Sequence, residues 1–162
     1  MAAAFCLMQK TSIDKAMYYD ACPTRSYCGL FYFPSMRTTP CYEAFRSWNE
    51  LAKLGTSVPV SVKAAGVYVA AAKCGGKRAF LIANPGDAAV DVDVRATGAD
   101  GAGFTLYRVD ADHAKLTADG AWTGSMITVP ANGLVLALSG VELGGTAVEA
   151  TAHGPANGLQ QK

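Results

Sequence analysis

Three consecutive residues near the N-terminus, Tyr18, Tyr19 and Asp20, have side chains suited to binding a sugar. They end a short run, residues 15–19, that predicts a β-strand. In a βα unit, the carboxyl end of the strand and the loop after it form the face that binds ligands. Aromatic rings there can stack on the C–H faces of a sugar, and a carboxylate can hold its hydroxyl groups. These three residues are therefore our candidates for contact with a carbohydrate, and the alternative is that their aromatic rings only pack beneath the loop.

The segment after this strand, residues 21–39, is long and contains two prolines and a glycine, which predicts an irregular loop. It adds Arg25, Tyr27 and the aromatic residues 31–33 to the same predicted edge. Loops of this length are uncommon inside a domain and are often functional. The alternative is that these aromatic rings pack beneath the loop and bind nothing.

Carboxylate pairs that could hydrolyse a glycosidic bond are not evident in the sequence. The chain has only four glutamates: Glu43, Glu50, Glu142 and Glu149. The first two fall on the polar face of a predicted helix, where we expect them to face solvent, and the other two lie near the C-terminus. Because glycoside hydrolysis needs two carboxyl groups across a cleft, we predict no catalytic residue in this chain.

Metal and cofactor sites are also not predicted. Asp110, Asp112 and His113 could contribute to a metal site, but a polar loop between strands explains the same residues more simply. The five cysteines contain no C-x-x-C spacing, and no glycine-rich loop precedes a helix as phosphate binding requires.

A helix-strand-helix segment must position the Tyr18–Asp20 cluster. Residues 2–10 predict a helix, and residues 40–54 predict a second one, with Thr39 as its N-cap and Gly55 just past its end. The spacing of this second helix predicts two faces. The apolar one carries Tyr42, Phe45, Trp48, Leu51 and Ala52, and the polar one carries Glu43, Arg46, Glu50 and Lys53.

After residue 56 the hydrophobic period changes from that of a helix to that of short strands. About seven strands, separated by turns rich in Gly, Pro and Asp, predict an antiparallel β-sandwich. Residues 79–83 are almost wholly apolar, which indicates a central strand. The glycines at positions 75 and 76 suit a two-residue hairpin turn.

Composition limits the classes of function. The chain has 162 residues, of which 51% are hydrophobic and 17% charged, with a net charge of +1. This balance favours a folded core and argues against binding to nucleic acid or to a membrane surface. No signal peptide is evident and the number of cysteines is odd, so we expect a cytoplasmic protein, although a Cys22–Cys28 disulfide is conceivable if the protein is exported.

The order of these features resembles the end of a clan A glycoside hydrolase, most nearly the family 39 β-xylosidase-like group. The segments that carry the resemblance are residues 13–20, 27–31, 40–48, 51–55, 80–84, 106–110 and 127–136. The resemblance implies a mainly β fold, in which an antiparallel β-sandwich follows the remnant helix-strand-helix of a (β/α)8 barrel. It implies residues 1–56 as the last βα unit, residues 57–140 as the accessory β-sandwich and residues 141–162 as a flexible tail.

The same resemblance implies that both catalytic glutamates belong to barrel strands that would precede Met1. We therefore expect the C-terminal fragment of a retaining glycosidase acting on β-linked glycans, inactive alone and able to pair with an upstream barrel segment. The resemblance places Tyr18, Tyr19 and Asp20 at the rim of the active site. The alternative is a self-standing, non-catalytic β-sandwich that binds carbohydrate or a partner protein.

Overall fold

Antiparallel strands make up most of the structure, a computed structural model that describes residues 1–18, 29–95, 103–122 and 124–144. The fold is mainly β, with two helices that precede the strands in the chain. The elements are α1 (Ala2–Met8), α2 (Pro40–Ala52), β1 (Thr56–Val58), β2 (Tyr68–Cys74), β3 (Lys77–Asn84), β4 (Val90–Asp93), β5 (Phe104–Val109), β6 (Thr117–Trp122), β7 (Met126–Val129) and β8 (Gly133–Ser139).

The strands form a six-stranded sheet in the order β1-β2-β3-β8-β5-β6 and a two-stranded sheet of β4 and β7. All of their pairings are antiparallel. The predicted hairpin joins β2 and β3, and Gly75 in its turn has a φ of 57°. The predicted central strand is confirmed, because β3 lies between β2 and β8. Both β3 and β8 are apolar on their two faces, since each face is covered by another layer.

The six-stranded sheet separates two hydrophobic clusters. On one face, Phe80, Ile82 and Val135 pack with residues of the two-stranded sheet, such as Val92 and Ile127. Because successive side chains of a strand point to opposite faces, the neighbouring residues of β3 and β8 form the second cluster on the other face. That cluster joins the sheet to both helices through Leu81, Leu136, Leu138, Ala2, Cys6, Ala44 and Leu51. The predicted domain boundary near residue 56 stays a prediction. The helices before it and the sheet after it share one hydrophobic core.

Helix α1 contributes a buried cysteine to this second cluster. Cys6 lies under the sheet with almost no exposed surface. Burial raises the pKa of its thiol to about 12, because the thiolate would lose its hydration. Cys74, by contrast, is exposed at the end of β2. Cys6 is therefore an apolar packing residue of the helix layer.

Helix α2 begins as predicted but faces a different way. The Thr39 side chain accepts a hydrogen bond from the backbone N–H of Tyr42 at 3.3 Å, and Pro40 is the first helical residue. The prediction that Glu43 and Glu50 face solvent is wrong, because both are buried against the sheet layer. The helix has two covered faces, and its aromatic face packs on α1: the Trp48 ring stacks on Phe5 at 5.4 Å.

Two strand predictions also differ from the structure. Residues 15–18, the described part of the predicted strand 15–19, pair with no other strand in the described parts of the chain. A strand is stabilised by hydrogen bonds to its neighbours, so sequence propensity alone does not create one. Conversely, β6 has little alternation in its sequence and was not predicted. It forms an edge of the large sheet through its pairing with β5.

The start of the predicted tail belongs to the fold. Val141 and Leu143 are partly buried against the cluster under the helices. The carbonyl of Gly144 accepts a hydrogen bond from Arg46 Nη2 at 2.7 Å. The rest of the predicted tail, residues 145–162, lies outside the described residues.

The turn after β5 is organised by one carboxylate. Asp110 Oδ1 accepts hydrogen bonds from the backbone N–H groups of Asp112 (3.0 Å) and His113 (2.8 Å), and lies 2.8 Å from His113 Nδ1. Loss of hydration raises the pKa of the Asp110 carboxyl, but the hydrogen bonds and the charge of His113 outweigh it, and the pKa is lowered from its ordinary 3.8. The ionised form is thus the one that the turn stabilises.

Replacement of Trp48 by alanine tests the packing of α2 on α1. Trp48 is half-buried, so we expect Trp48→Ala to lower the free energy of unfolding by about 2–3 kcal/mol, less than loss of a fully buried ring costs. Met17→Ala is the control, because the Met17 side chain is 96% exposed. Urea denaturation of both variants measures the difference. An unchanged midpoint for Trp48→Ala would show that the ring adds nothing to packing.

The Asp110 turn predicts a pH-dependent stability. Because the pKa of Asp110 is lowered in the folded state, its stabilisation is complete above the ordinary carboxyl pKa of 3.8 and is lost as the pH falls through the lowered value. We expect the wild type to be more stable than Asp110→Asn at neutral pH and the difference to vanish in acid. Urea titrations across this range measure it, with Asp112→Asn as the control. A difference that stays constant with pH would contradict the assignment.

Candidate functional site

Tyr18 is the one residue of the predicted sugar-binding cluster that the structure describes. It is half-buried, and its ring meets the edge of the Phe45 ring at a centroid distance of 5.0 Å. Its hydroxyl lies 3.5 Å from Cys41 Sγ. Tyr19 and Asp20 lie outside the described residues. The Tyr18 ring therefore packs on the first turns of α2, and contact of all three residues with a sugar stays a prediction.

The two helices begin at the same end of the molecule. Residues 1–3 and the first turns of α2, including Pro40 and Ala44, line one cavity of about 280 Å³ at the end of the large sheet. The chain that leaves α1 at its far end must return to this end before α2 begins. The contacts of Tyr18 with Cys41 and Phe45 show that residues 9–18 make that return.

This path resembles that of the strand in a βα unit. In such units the strand runs antiparallel to the helices on either side of it and ends beside the N-terminus of the next helix. Residues 9–18 form no strand here, and Tyr18 lies beside the first turns of α2. The edge where strands end beside helix N-termini is the one at which α/β enzymes place their ligand-binding residues.

An exposed loop of aromatic residues lies next to this edge. The aromatic loop, residues 29–38, closes through a bridge between Phe31 and Thr38. The backbone N–H of Tyr32 donates to the carbonyl of Arg37 at 2.8 Å, and that of Met36 donates to the carbonyl of Tyr32 at 2.7 Å. Three of its apolar side chains are largely exposed: Tyr32 at 51%, Phe33 at 65% and Met36 at 57%.

The backbone of the aromatic loop is attached to the helix cap at its base. Thr39 Oγ1 donates to the carbonyl of Gly29 at 2.8 Å, and the backbone N–H of Thr39 donates to the carbonyl of Leu30 at 3.0 Å. The Phe31 ring lies 5.6 Å from that of Tyr42 on α2. The sequence shows that this loop is aromatic. It does not predict that the ring of Phe31 packs inward while Tyr32 and Phe33 are exposed.

The two buried glutamates of α2 are held in ion pairs. Glu43 is 1% exposed, and its Oε2 lies 3.3 Å from Arg46 Nη1. Glu50 is 3% exposed, and its Oε1 lies 2.9 Å from Lys53 Nζ. Both pairs join residues three apart on one helix, and Glu50 and Lys53 also line a pocket of about 270 Å³ on the surface of α2. Sequence reasoning missed their burial, which becomes evident only when α2 is placed against the sheet.

The residues weighed for metal binding do not converge. Among the residues that the structure describes, no group of three or more His, Cys, Asp or Glu side chains lies close enough to hold a metal ion. Asp110 and His113 bond to each other in the turn after β5. A separate observation concerns membranes: neither helix in the described ranges has the length and apolar character to span one.

Comparisons with known proteins bear on the fold. No family model and no curated protein matches this sequence. Similar solved structures include a family 30 glycoside hydrolase endoxylanase from Clostridium papyrosolvens C71, with 15% identity, a TM-score of 0.53 and coverage of 67% of this chain and 30% of that one. The family 30 subfamily 8 xylanase Xyn30A from Clostridium acetobutylicum has 13% identity, a TM-score of 0.57 and coverage of 72% and 32%.

A third similar structure is the catalytic domain of the family 30 xylanase C from Talaromyces cellulolyticus, with 14% identity, a TM-score of 0.56 and coverage of 70% and 27%. The chain thus spans only 27–32% of the length of these xylanases. Identity this low demonstrates a shared fold and no more. The fold is like part of the fold of these family 30 xylanases, and the assignment to clan A and its family 39 stays a prediction.

Proposed function

We propose that this chain is the C-terminal portion of a retaining glycosidase that acts on β-linked glycans. It supplies the last βα unit of a (β/α)8 barrel and the accessory β-domain that follows it. The observation that carries this proposal is the path of residues 1–18 relative to α2: both helices start at one end of the molecule, and the segment that follows α1 returns to that end at Tyr18. The fold shared with family 30 xylanases supports it.

Exposed apolar side chains along the return segment also support the proposal. Met17 is 96% exposed and Ile13 is 54% exposed, whereas Tyr18 packs on α2. In a barrel, each strand pairs with a neighbour on both sides and its alternate side chains fill the interior. The surface that residues 13–17 present is the surface that such neighbours cover.

The reaction assigned to the complete enzyme is a two-step displacement. One carboxylate attacks the anomeric carbon and a carboxylic acid protonates the leaving oxygen, which gives a covalent glycosyl intermediate that water then hydrolyses. Both of these groups belong to the upstream barrel in this proposal. The present chain contributes Tyr18, Tyr19 and Asp20 as contacts that bind and orient the sugar. Xylan is the first substrate to test, because the structurally similar enzymes are named as xylanases.

The first test concerns the chain alone. We expect the 162-residue chain to hydrolyse neither aryl β-xylosides nor aryl β-glucosides, because the carboxylate pair is supplied by the upstream segment. The positive control is a longer polypeptide translated from the upstream reading frame. Turnover by the chain alone that disappears when one of its own carboxylates is replaced would refute the proposal. Binding of xylan by the inactive chain would favour the self-standing binding domain.

The second test concerns Asp20 in the longer polypeptide. If Asp20 holds a sugar hydroxyl in the transition state, Asp20→Ala should lower kcat/KM by about 10- to 100-fold, equivalent to about 1.4–2.8 kcal/mol. Asp14→Ala is the matched control, because Asp14 is exposed on the same segment. If Asp20 only caps the loop, its replacement lowers the melting temperature and leaves kcat/KM of the folded fraction unchanged. Both quantities are measured on the same preparation.

A further inference from the structure

Glu43 connects three parts of the molecule that are distant in sequence. Its Oε1 accepts a hydrogen bond from Thr38 Oγ1, at the end of the aromatic loop, at 3.4 Å. Its Oε2 accepts one from the backbone N–H of Leu116, in the segment between β5 and β6, also at 3.4 Å. Arg46 on the next turn of α2 supplies the neutralising charge at 3.3 Å. One carboxylate thus joins the aromatic loop, the helix and the segment that connects β5 to β6.

A carboxylate in this position strongly favours one arrangement of its neighbours. Burial of an ionised carboxyl group is strongly unfavourable unless ion pairs and hydrogen bonds replace its hydration. Glu43 is 1% exposed, so its partners must stay in place for the folded state to avoid that cost. Thr38 is one of those partners and pairs with Phe31 across the base of the loop.

Glu50 provides an internal comparison. It lies two turns along the same face of α2, is 3% exposed and pairs with Lys53 as Glu43 pairs with Arg46. Its hydrogen bond to Lys53 stays within the helix. The two glutamates therefore differ in their partners outside the helix. In the described structure, only Glu43 is bonded to the aromatic loop.

We propose that Glu43 is a positioning residue that holds the aromatic loop against the β-domain and so fixes the exposed rings of Tyr32 and Phe33 as a stacking surface for a sugar. The positioning part of this statement stands on the contacts of Glu43 alone. The sugar-binding part rests on the function proposed above. The β-domain then takes part in setting the geometry of the substrate rim, through Leu116, Glu43 and Thr38.

Amide hydrogen exchange on the 162-residue chain tests the positioning part. The reporters are the amides of Tyr32, Met36 and Thr39, whose hydrogen bonds hold the loop. In Glu43→Gln one oxygen becomes an NH2 group that faces other donors, so we expect these amides to exchange about tenfold faster, while the amides of β3 and β8 are unchanged. Glu50→Gln, the matched control, should change loop exchange less than about twofold.

A second variant approaches the same contact from the loop side. Thr38→Val removes only the hydroxyl that Glu43 accepts from, and we expect the same local acceleration of exchange with little change in global stability. If Glu43→Gln does not fold, Thr38→Val carries the test. Loop amides that exchange as slowly in Thr38→Val as in the wild type, or equally fast in Glu43→Gln and Glu50→Gln, would overturn the positioning role.

Kinetics of the longer polypeptide test the sugar-binding part. Loss of a prearranged stacking surface weakens ground state and transition state alike, so Glu43→Gln should raise KM for xylan while kcat is unchanged. An unchanged KM in a variant whose loop amides exchange faster would refute the sugar-binding role. A longer polypeptide without any hydrolysis would refute the proposed function, and the exchange measurements would still decide the role of Glu43.

Discussion

Burial of both faces of the β3–β8 pair is the constraint on which the rest of the structure depends. These two central strands are apolar along nearly their whole length, and a sheet of this kind is stable only when each face is covered. The two-stranded sheet covers one face and the helices cover the other. The N-terminal segment is thereby held on the β-domain.

The helix layer that covers one face of the sheet contains two buried glutamates. Helix α2 contacts α1 through Phe45 and Trp48, and it turns Ala44 and Leu51 toward the sheet. Glu43 and Glu50 lie on this second face. Their burial is compensated by arginine and lysine three residues later, which supply charge without leaving the helix. The result is a helix with one aromatic face and one mixed face, and with Asn49, Ala52 and Lys53 exposed.

The candidate site is held in position by the same helix layer. Since α2 is held on the sheet, its N-terminus, its cap at Thr39 and the loop that enters it are also held. Tyr18 meets the helix at this end, and the exposed rings of Tyr32 and Phe33 lie on a loop whose base is bonded to Thr39 and Glu43. A substrate rim made of loops can bind selectively only when the loops are prearranged, and in our proposal the β-domain contributes to that order through Glu43.

Local chemistry in the sequence determined the features that depend on neighbours along the chain. The cap at Thr39, the proline at the first helical position, the hairpin at Gly75 and the apolar central strand β3 follow from side chains a few residues apart. Tertiary structure decided the features that depend on distant partners. Edge strand β6 exists because β5 offers hydrogen bonds, whereas residues 15–18 belong to neither of the described sheets and form no strand. Glu43 and Glu50 are buried because the sheet covers α2, and a helical period alone cannot tell which of two faces another layer will cover.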